Sequence, residues 1–402
     1  FREVWTDGGD LVMNGVPFRV RGSGNGWDSG GAGVRGLIDF YLARGMNSAI
    51  GWFLDATPQP TLGEALRVAD ETGFLSAFNI YMPGGSEASR REQLRNTLNN
   101  FRNHPCVYGY VIGSEPYCVG YMNDPISLGR PAADADPKDP LCQSNLDQLR
   151  RVKEADATLP AGFYTRGILG DFRSAMQYIG YGTPIQTREE LFKYWAETRP
   201  APFVGTEMDM SLFLYAYLWQ RGDHPSQDYA LGKGVIPLVT EHAARYWGNE
   251  AYDRETADWV LPIPRQVADR NAVYGRAGHA DNGGGIRNHP NLQHLTALTV
   301  KHTCRSWRTW GVSYQSHSIA LNYAHLPDRD PAKDPWWLGD RAFAANNKAF
   351  LAYVGGEPGN FVAKDHAFTS GERVNKQIVL INDFFRPKTV QAEWALVAAD
   401  AA

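Results

Sequence analysis

The chain has no run of apolar residues approaching the ~20 that a membrane-spanning helix needs. Several signatures of common chemistries are also missing. No G-x-S-x-G elbow is present, which argues against a serine hydrolase of the α/β type, and there is no Walker A lysine motif. The glycine-rich Gly22-Ser23-Gly24-Asn25-Gly26 lacks the spacing of a dinucleotide-binding loop. Cysteine is scarce: four residues in 402, Cys106, Cys118, Cys142 and Cys304, too few for a disulfide framework and without a C-x-x-C pair for zinc or redox work. Cys118 and Cys142 flank a stretch rich in Pro, Asp and Gly. A disulfide closing that loop and two buried thiols both fit it. Of the 10 histidines, His289, His294 and His302 lie near one another, but no H-E-x-x-H accompanies them. No metal or organic cofactor is therefore expected. Basic excess is absent as well: 40 Lys+Arg against 44 Asp+Glu gives a net charge of −4, unlike a nucleic-acid binder. The first residue is Phe1, not Met, which points to a processed chain.

What is present is ordinary globular composition, 43% hydrophobic and 21% charged, with short apolar runs alternating with helix-period segments. Residues 18–24, 46–53, 74–82, 107–113, 161–164, 176–181, 202–206 and 312–316 read as strands. Residues 33–44, 61–72, 86–101, 146–157, 187–198, 211–220 and 292–309 read as helices, with Thr61 and Glu64 forming a capping box. Eight strand–helix units in one chain predict an α/β fold, a (β/α)8 TIM barrel spanning 1–360. Residues 228–290, rich in Gly, Asn and His, are then a long late loop insertion that shapes the mouth. Residues 361–402 change character. The segments 372–382 and 390–396 alternate apolar and polar residues, which predicts a hairpin-like β appendage or the start of a larger β domain.

Barrel enzymes draw their chemistry from the C-terminal ends of the strands. Three carboxylates follow apolar runs directly: Glu115, Glu207 and Glu241. One protonated and one ionised carboxylate facing each other are the equipment for cleaving a glycosidic bond, since one assists the leaving oxygen and the other attacks or activates water. Any one of them taken alone could instead cap or salt-bridge the next helix. Aromatic rings bury the apolar faces of sugars, and Trp52 and Trp247 stand at loop positions suited to that. Asn79 and Arg166, at strand ends, together with Asn25 and His317, are candidate hydroxyl contacts.

The stretch Asn103-His104-Pro105-Cys106-Val107-Tyr108-Gly109-Tyr110-Val111-Ile112-Gly113-Ser114-Glu115 resembles the strand-four signature of glycoside hydrolase clan A, in particular the family 2 β-galactosidase-like enzymes. Asn14-Gly15-Val16-Pro17-Phe18-Arg19-Val20-Arg21-Gly22-Ser23-Gly24-Asn25 is similar to their first-strand segment, Ala69-Asp70-Glu71-Thr72-Gly73-Phe74 to the approach to strand three, and Asp156 through Pro160 to the segment before strand five. The resemblance spans residues ~11–210 in order. It implies a retaining β-glycosidase with Glu115 as acid/base and a strand-seven Glu as nucleophile. Two segments compete for that strand, one ending in Glu207 and one in Glu241. Counting strands from Glu115 favours Glu207, with Tyr181 beside it. If Glu241 were the nucleophile, Glu207 would belong to strand six and Asp209 could bind hydroxyls. The sequence departs from the clan pattern at Ser114, where an Asn that contacts the sugar is usual, and at Trp52, near the position of a usual arginine. A barrel that binds carbohydrate without cleaving it, and a barrel of unrelated chemistry, are the competing readings. The expected substrate is an oligo- or polysaccharide, without nucleic acid or a membrane span. The expected location is secreted or periplasmic, and the oligomeric state is not legible.

Overall fold

A computed structural model describes residues 2–23, 33–51, 59–80, 84–113, 140–164, 170–177, 190, 192–193, 196–197, 202–208, 290–315, 338–359 and 368–397. In chain order the strands are β1 Val4–Asp7, β2 Asp10–Met13, β3 Val16–Phe18, β4 Arg21–Ser23, β5 Ser48–Gly51, β6 Leu75–Ile80, β7 Val107–Ile112, β8 Ala161–Phe163, β9 Arg173–Gln177, β10 Phe203–Met208, β11 Ser313–Gln315, β12 Phe350–Gly355 and β13 Gln377–Asn382. The helices are α1 Gly33–Ala43, α2 Gln59–Thr72, α3 Glu87–Asn99, α4 Pro140–Ala155, α5 Pro290–Thr309 and α6 Leu338–Asn346. Residues 190, 192–193 and 196–197 are helical too.

Eight strands form one parallel sheet in the order β8-β7-β6-β5-β4-β11-β10-β9. Taken cyclically, that is chain order: β4 through β11 are the eight staves of a nearly closed (β/α)8 barrel. β6 and β7 are buried at every position, as strands covered on both faces must be. The seam lies between β8 and β9. Only residues 164–172 separate these strands, fewer than the dozen or more of a helical crossover. The chain instead returns tightly, with an antiparallel bridge between Gly162 and Gly170 and with Asp171 N donating to Ala161 O at 2.8 Å. Ser174 Oγ then donates to Phe163 O across the gap. The ring of Phe172 fills the space over Gly162, where a Cβ would lie 2.4 Å from it.

The expected first strand at 18–24 splits in two. Residues up to Phe18 belong to a three-stranded antiparallel sheet, β1-β2-β3, whose last hairpin turns on Asn14 and Gly15, both at positive φ. The barrel strand starts only at Arg21. Val4, Leu11 and Phe18 of this sheet join the main core, and Phe18 meets Tyr108 edge-on at 6.0 Å. The expected sixth strand, 176–181, starts earlier, at Arg173, and its residues 178–181 lie outside the described ones.

The C-terminal region is β-rich as expected, but its pairing differs. β13 pairs antiparallel with β12, not with residues 390–396, which are exposed and form no strand. Asp383 just beyond β13 is held by Arg21 of β4 and Arg308 of α5, side chains 6% and 2% exposed. That shared carboxylate joins the small sheet to the barrel. Among the described residues no helix is long and apolar enough to cross a membrane.

Candidate active site

Which residues line the barrel follows from alternation along the strands. Tyr314 of β11 lies against Trp307, their rings 5.5 Å apart, and against Cys304 of α5, so its face is the outer one. Ser313 and Gln315 therefore take the inner face. Gln315 confirms this by donating from Nε2 to Ser48 Oγ of β5 and to Tyr108 OH of β7, each at 3.3 Å. Burial raises the Tyr108 phenol to about 12, against the opposing pull of its bonds to Gln315 and Ser48. It stays neutral in the barrel floor. Gly22 is the residue that lets Gln315 cross: a Cβ there would lie 2.0 Å from its Oε1 and 2.6 Å from Ser48 O.

Two staves depart from regular pairing. Between β6 and β7, Ser76 is in register with Val107 but Ala77 with Gly109, so Tyr108 is an extra residue. Between β9 and β10, Gly205 is in register with Ala175 but Glu207 with Met176, so Thr206 is the extra one. Each is a one-residue bulge, a feature that re-aims a strand and is over-represented near active sites. After the second bulge, position 207 shares the face of Ser174, Val204 and Ser313. β7 is followed by Gly113, whose φ of +84° suits glycine and few other residues.

Of the residues singled out in the sequence, Glu207 lies near the C-terminal end of β10, the seventh stave. Asn79 lies in β6, in register with Val111 on the inner face, and is fully buried. Neither its Oδ1 nor its Nδ2 has a hydrogen-bond partner among the described residues. A buried amide in that state calls for a partner beyond the described residues. Ser114, Glu115, Tyr181, Trp52, Arg166, Trp247, Glu241, Asn25 and His317 lie outside the described residues, as do Asp209, Cys118 and the segment 228–290. Cys106 and Cys304 are buried free thiols, and burial pushes both thiols up, away from reactivity. Among the described residues no three His, Cys, Asp or Glu side chains stand together as metal ligands would. Sequence reasoning missed Gln315 and Ser174 as inner-face positions. Their signal was a small or amide polar residue in a short strand, at alternate positions to an aromatic or a charged residue.

No protein-family model matches the sequence, and no protein of curated function does. Solved structures that the chain resembles include a β-D-mannosidase from Dictyoglomus thermophilum, 10% identical with a TM-score of 0.49 over 95% of this chain and 48% of that one. A β-glucuronidase from Parabacteroides merdae is 13% identical, TM-score 0.43, over 89% and 43%. A GH2 β-galacturonidase from Eisenbergiella tayi is 17% identical, TM-score 0.37, over 52% and 39%. The chain thus spans less than half the length of each of these three glycosidases.

Proposed function

We propose that this barrel hydrolyses β-glycosidic bonds of an oligo- or polysaccharide with retention of configuration. The observation that carries the reading is where two glutamates fall in the chain relative to the staves. Glu207 is in the seventh stave, and Glu115 comes shortly after Ile112, the last residue of the fourth. Groups at those strand ends share one mouth. In this mechanism Glu207 attacks the anomeric carbon while Glu115 gives its proton to the departing oxygen. Water then resolves the glycosyl-enzyme with Glu115 acting as base. Two nearby carboxylates disfavour double ionisation, which keeps Glu115 protonated beside an ionised Glu207. Asn79 and Ser114 contact sugar hydroxyls, Arg166, Asn25 and His317 do so at the rim, and Trp52 and Trp247 stack on sugar faces, with Tyr181 beside the nucleophile. The chemistry needs no cofactor. A polysaccharide substrate too large to enter a cell places the reaction outside the cytoplasm.

The test is turnover of 2,4-dinitrophenyl β-galactoside, β-glucoside, β-mannoside and β-glucuronide by wild type, Glu115→Gln and Glu207→Gln. On the corresponding phenyl glycosides, whose poorer leaving group needs acid assistance, a loss of ~10²–10⁴-fold is expected in the Glu115 variant, with at least as large a loss for Glu207→Gln on either series. Unchanged melting temperatures would show that folding is intact. A dead Glu241→Gln beside an active Glu207→Gln would move the nucleophile to Glu241. Sugar-dependent stabilisation of a wild type that turns nothing over would make the barrel a binding protein instead.

A further inference from the structure

The end of the barrel opposite the mouth holds a positive charge that its described residues do not cancel. Asp383 is one carboxylate between two buried guanidiniums, those of Arg21 and Arg308. One carboxylate offsets one guanidinium, so a positive charge is left over where an unpaired charge is costly. Arg308 donates from Nη1 to Asn346 O at 2.7 Å and from Nη2 to Asp383 at 2.9 Å, but its buried Nε has no partner among the described residues. Arg21 is pinned through Nε to Gly45 O at 3.2 Å and through Nη1 to Asp383. Beside its fixed head opens a cavity of about 650 Å³, walled by the start of β4, the turn from α1 to β5, α6 and the turn into β12. Arg341 and Lys348 also line it, and no Asp or Glu does. Neither of these two cations forms an ion pair among the described residues. Much of the remaining wall is apolar, with Leu42, Met46 and Ala345 in it.

We propose that this cavity binds a small organic anion, a phosphate monoester on a partly apolar body. Its volume lies in the range of about 300–1,000 Å³ that holds such molecules. Three cations and no acid on the wall favour a phosphate monoester, with a charge of about −1.5 to −2 at pH 7, over a single carboxylate. The guanidinium fork of Arg21 suits the paired oxygens of a phosphate, and Lys348 acts as a point charge at the rim. The apolar wall takes the body of the ligand. Arg341 and Lys348 taken alone would merely answer the negative ends of α1 and α6. That role needs no cavity and leaves the surplus charge at Arg21 and Arg308 unanswered. The cavity lies at the N-terminal ends of the staves, so it is separate from the mouth and does not depend on the glycosidase reading.

The experiment is the melting temperature of the chain with phenyl phosphate, inorganic phosphate or benzoate, each against potassium chloride at matched ionic strength. A ligand that binds only the folded state stabilises it, so phenyl phosphate at saturation should raise the midpoint by about 3 °C. Inorganic phosphate, which leaves the apolar wall empty, and benzoate, which carries one charge, should each raise it less. The variants are the double replacement Arg341→Gln with Lys348→Gln and, separately, Ala345→Glu. All three positions are exposed, so both variants should melt near wild type without ligand. Both should lose the phenyl phosphate shift. A shift that survives in either variant would overturn the inference by placing the anion elsewhere. So would a wild type that phenyl phosphate moves no more than chloride does, or that benzoate moves as far. A double variant that melts lower without ligand but keeps the shift would also overturn it and assign the two cations to the helix ends.

Discussion

Asn79 and Asp156 are two buried polar residues in opposite states. Asn79 has both amide atoms unpartnered among the described residues. Replacing such a group by an apolar one of similar shape removes a desolvated dipole, which is neutral or stabilising. If the amide serves a sugar hydroxyl, Asn79→Leu should keep or raise the melting temperature while kcat/KM falls roughly 3–10-fold. Parallel thermal and kinetic measurements check this, and a stability loss with unchanged kinetics would make Asn79 structural. Asp156 is fully engaged, accepting from Tyr110 OH at 2.6 Å and from the Thr158 amide and hydroxyl at 2.8 and 2.6 Å. Burial pulls its pKa upward, but the bonds from Thr158 and Tyr110 outweigh that and hold the carboxyl below its usual value. A depressed carboxylate stabilises the fold above its unfolded pKa of about 4, and that contribution fades as pH falls through the folded value. Asp156→Asn should therefore cost about 2 kcal/mol at pH 7. Urea midpoints of mutant and wild type should converge toward pH 3.

At the scale of elements, the strands were legible and the helix starts were not. β5, β6, β7, β8, β10 and β11 fall inside their expected runs or overlap them closely, because staves buried on both faces are short apolar blocks. Helices α2, α4 and α5 each begin two to six residues earlier than the periodicity indicated, and each has a proline in its first turn: Pro60, Pro140 and Pro290. Proline there costs nothing, since the first-turn amides lack helical partners anyway. Read as a breaker, it hid the helix start. α3 was legible for the opposite reason, with Ser86 capping the Ser89 amide at 3.3 Å and Glu87 in the first turn. Ser86→Ala should cost about 1 kcal/mol, measurable by urea unfolding. The partner of β13 was illegible because it depends on which of several alternating segments reaches it, and β12 lies on the barrel side of the expected division. The bulges were illegible too. An extra residue in a strand leaves no mark on hydrophobic periodicity over runs this short. The site was legible only as residue types at strand ends, with Glu207 and Asn79 as the two that the described structure locates.

For the whole molecule, the decisive contact is Asp383 between Arg21 and Arg308. Removing one partner of a buried ion pair leaves uncompensated charge, which costs about 3–5 kcal/mol. Asp383→Ala should therefore destabilise the barrel and not merely loosen β12 and β13, and the unfolding midpoint of the whole chain should fall. A low-temperature transition confined to the small sheet, with the main transition unmoved, would show that the sheet is independent. The same contact imposes an order on biosynthesis. Arg21 leaves the ribosome among the first residues of the barrel, yet its carboxylate follows 362 positions later. The contact that ties β4 and α5 to the small sheet therefore forms only after residue 383 has been made, later than the pairing of the first stave with the last. A nascent chain interrupted before residue 383 carries two buried guanidiniums without a counterion, a state for proteases and chaperones to find rather than a smaller working barrel.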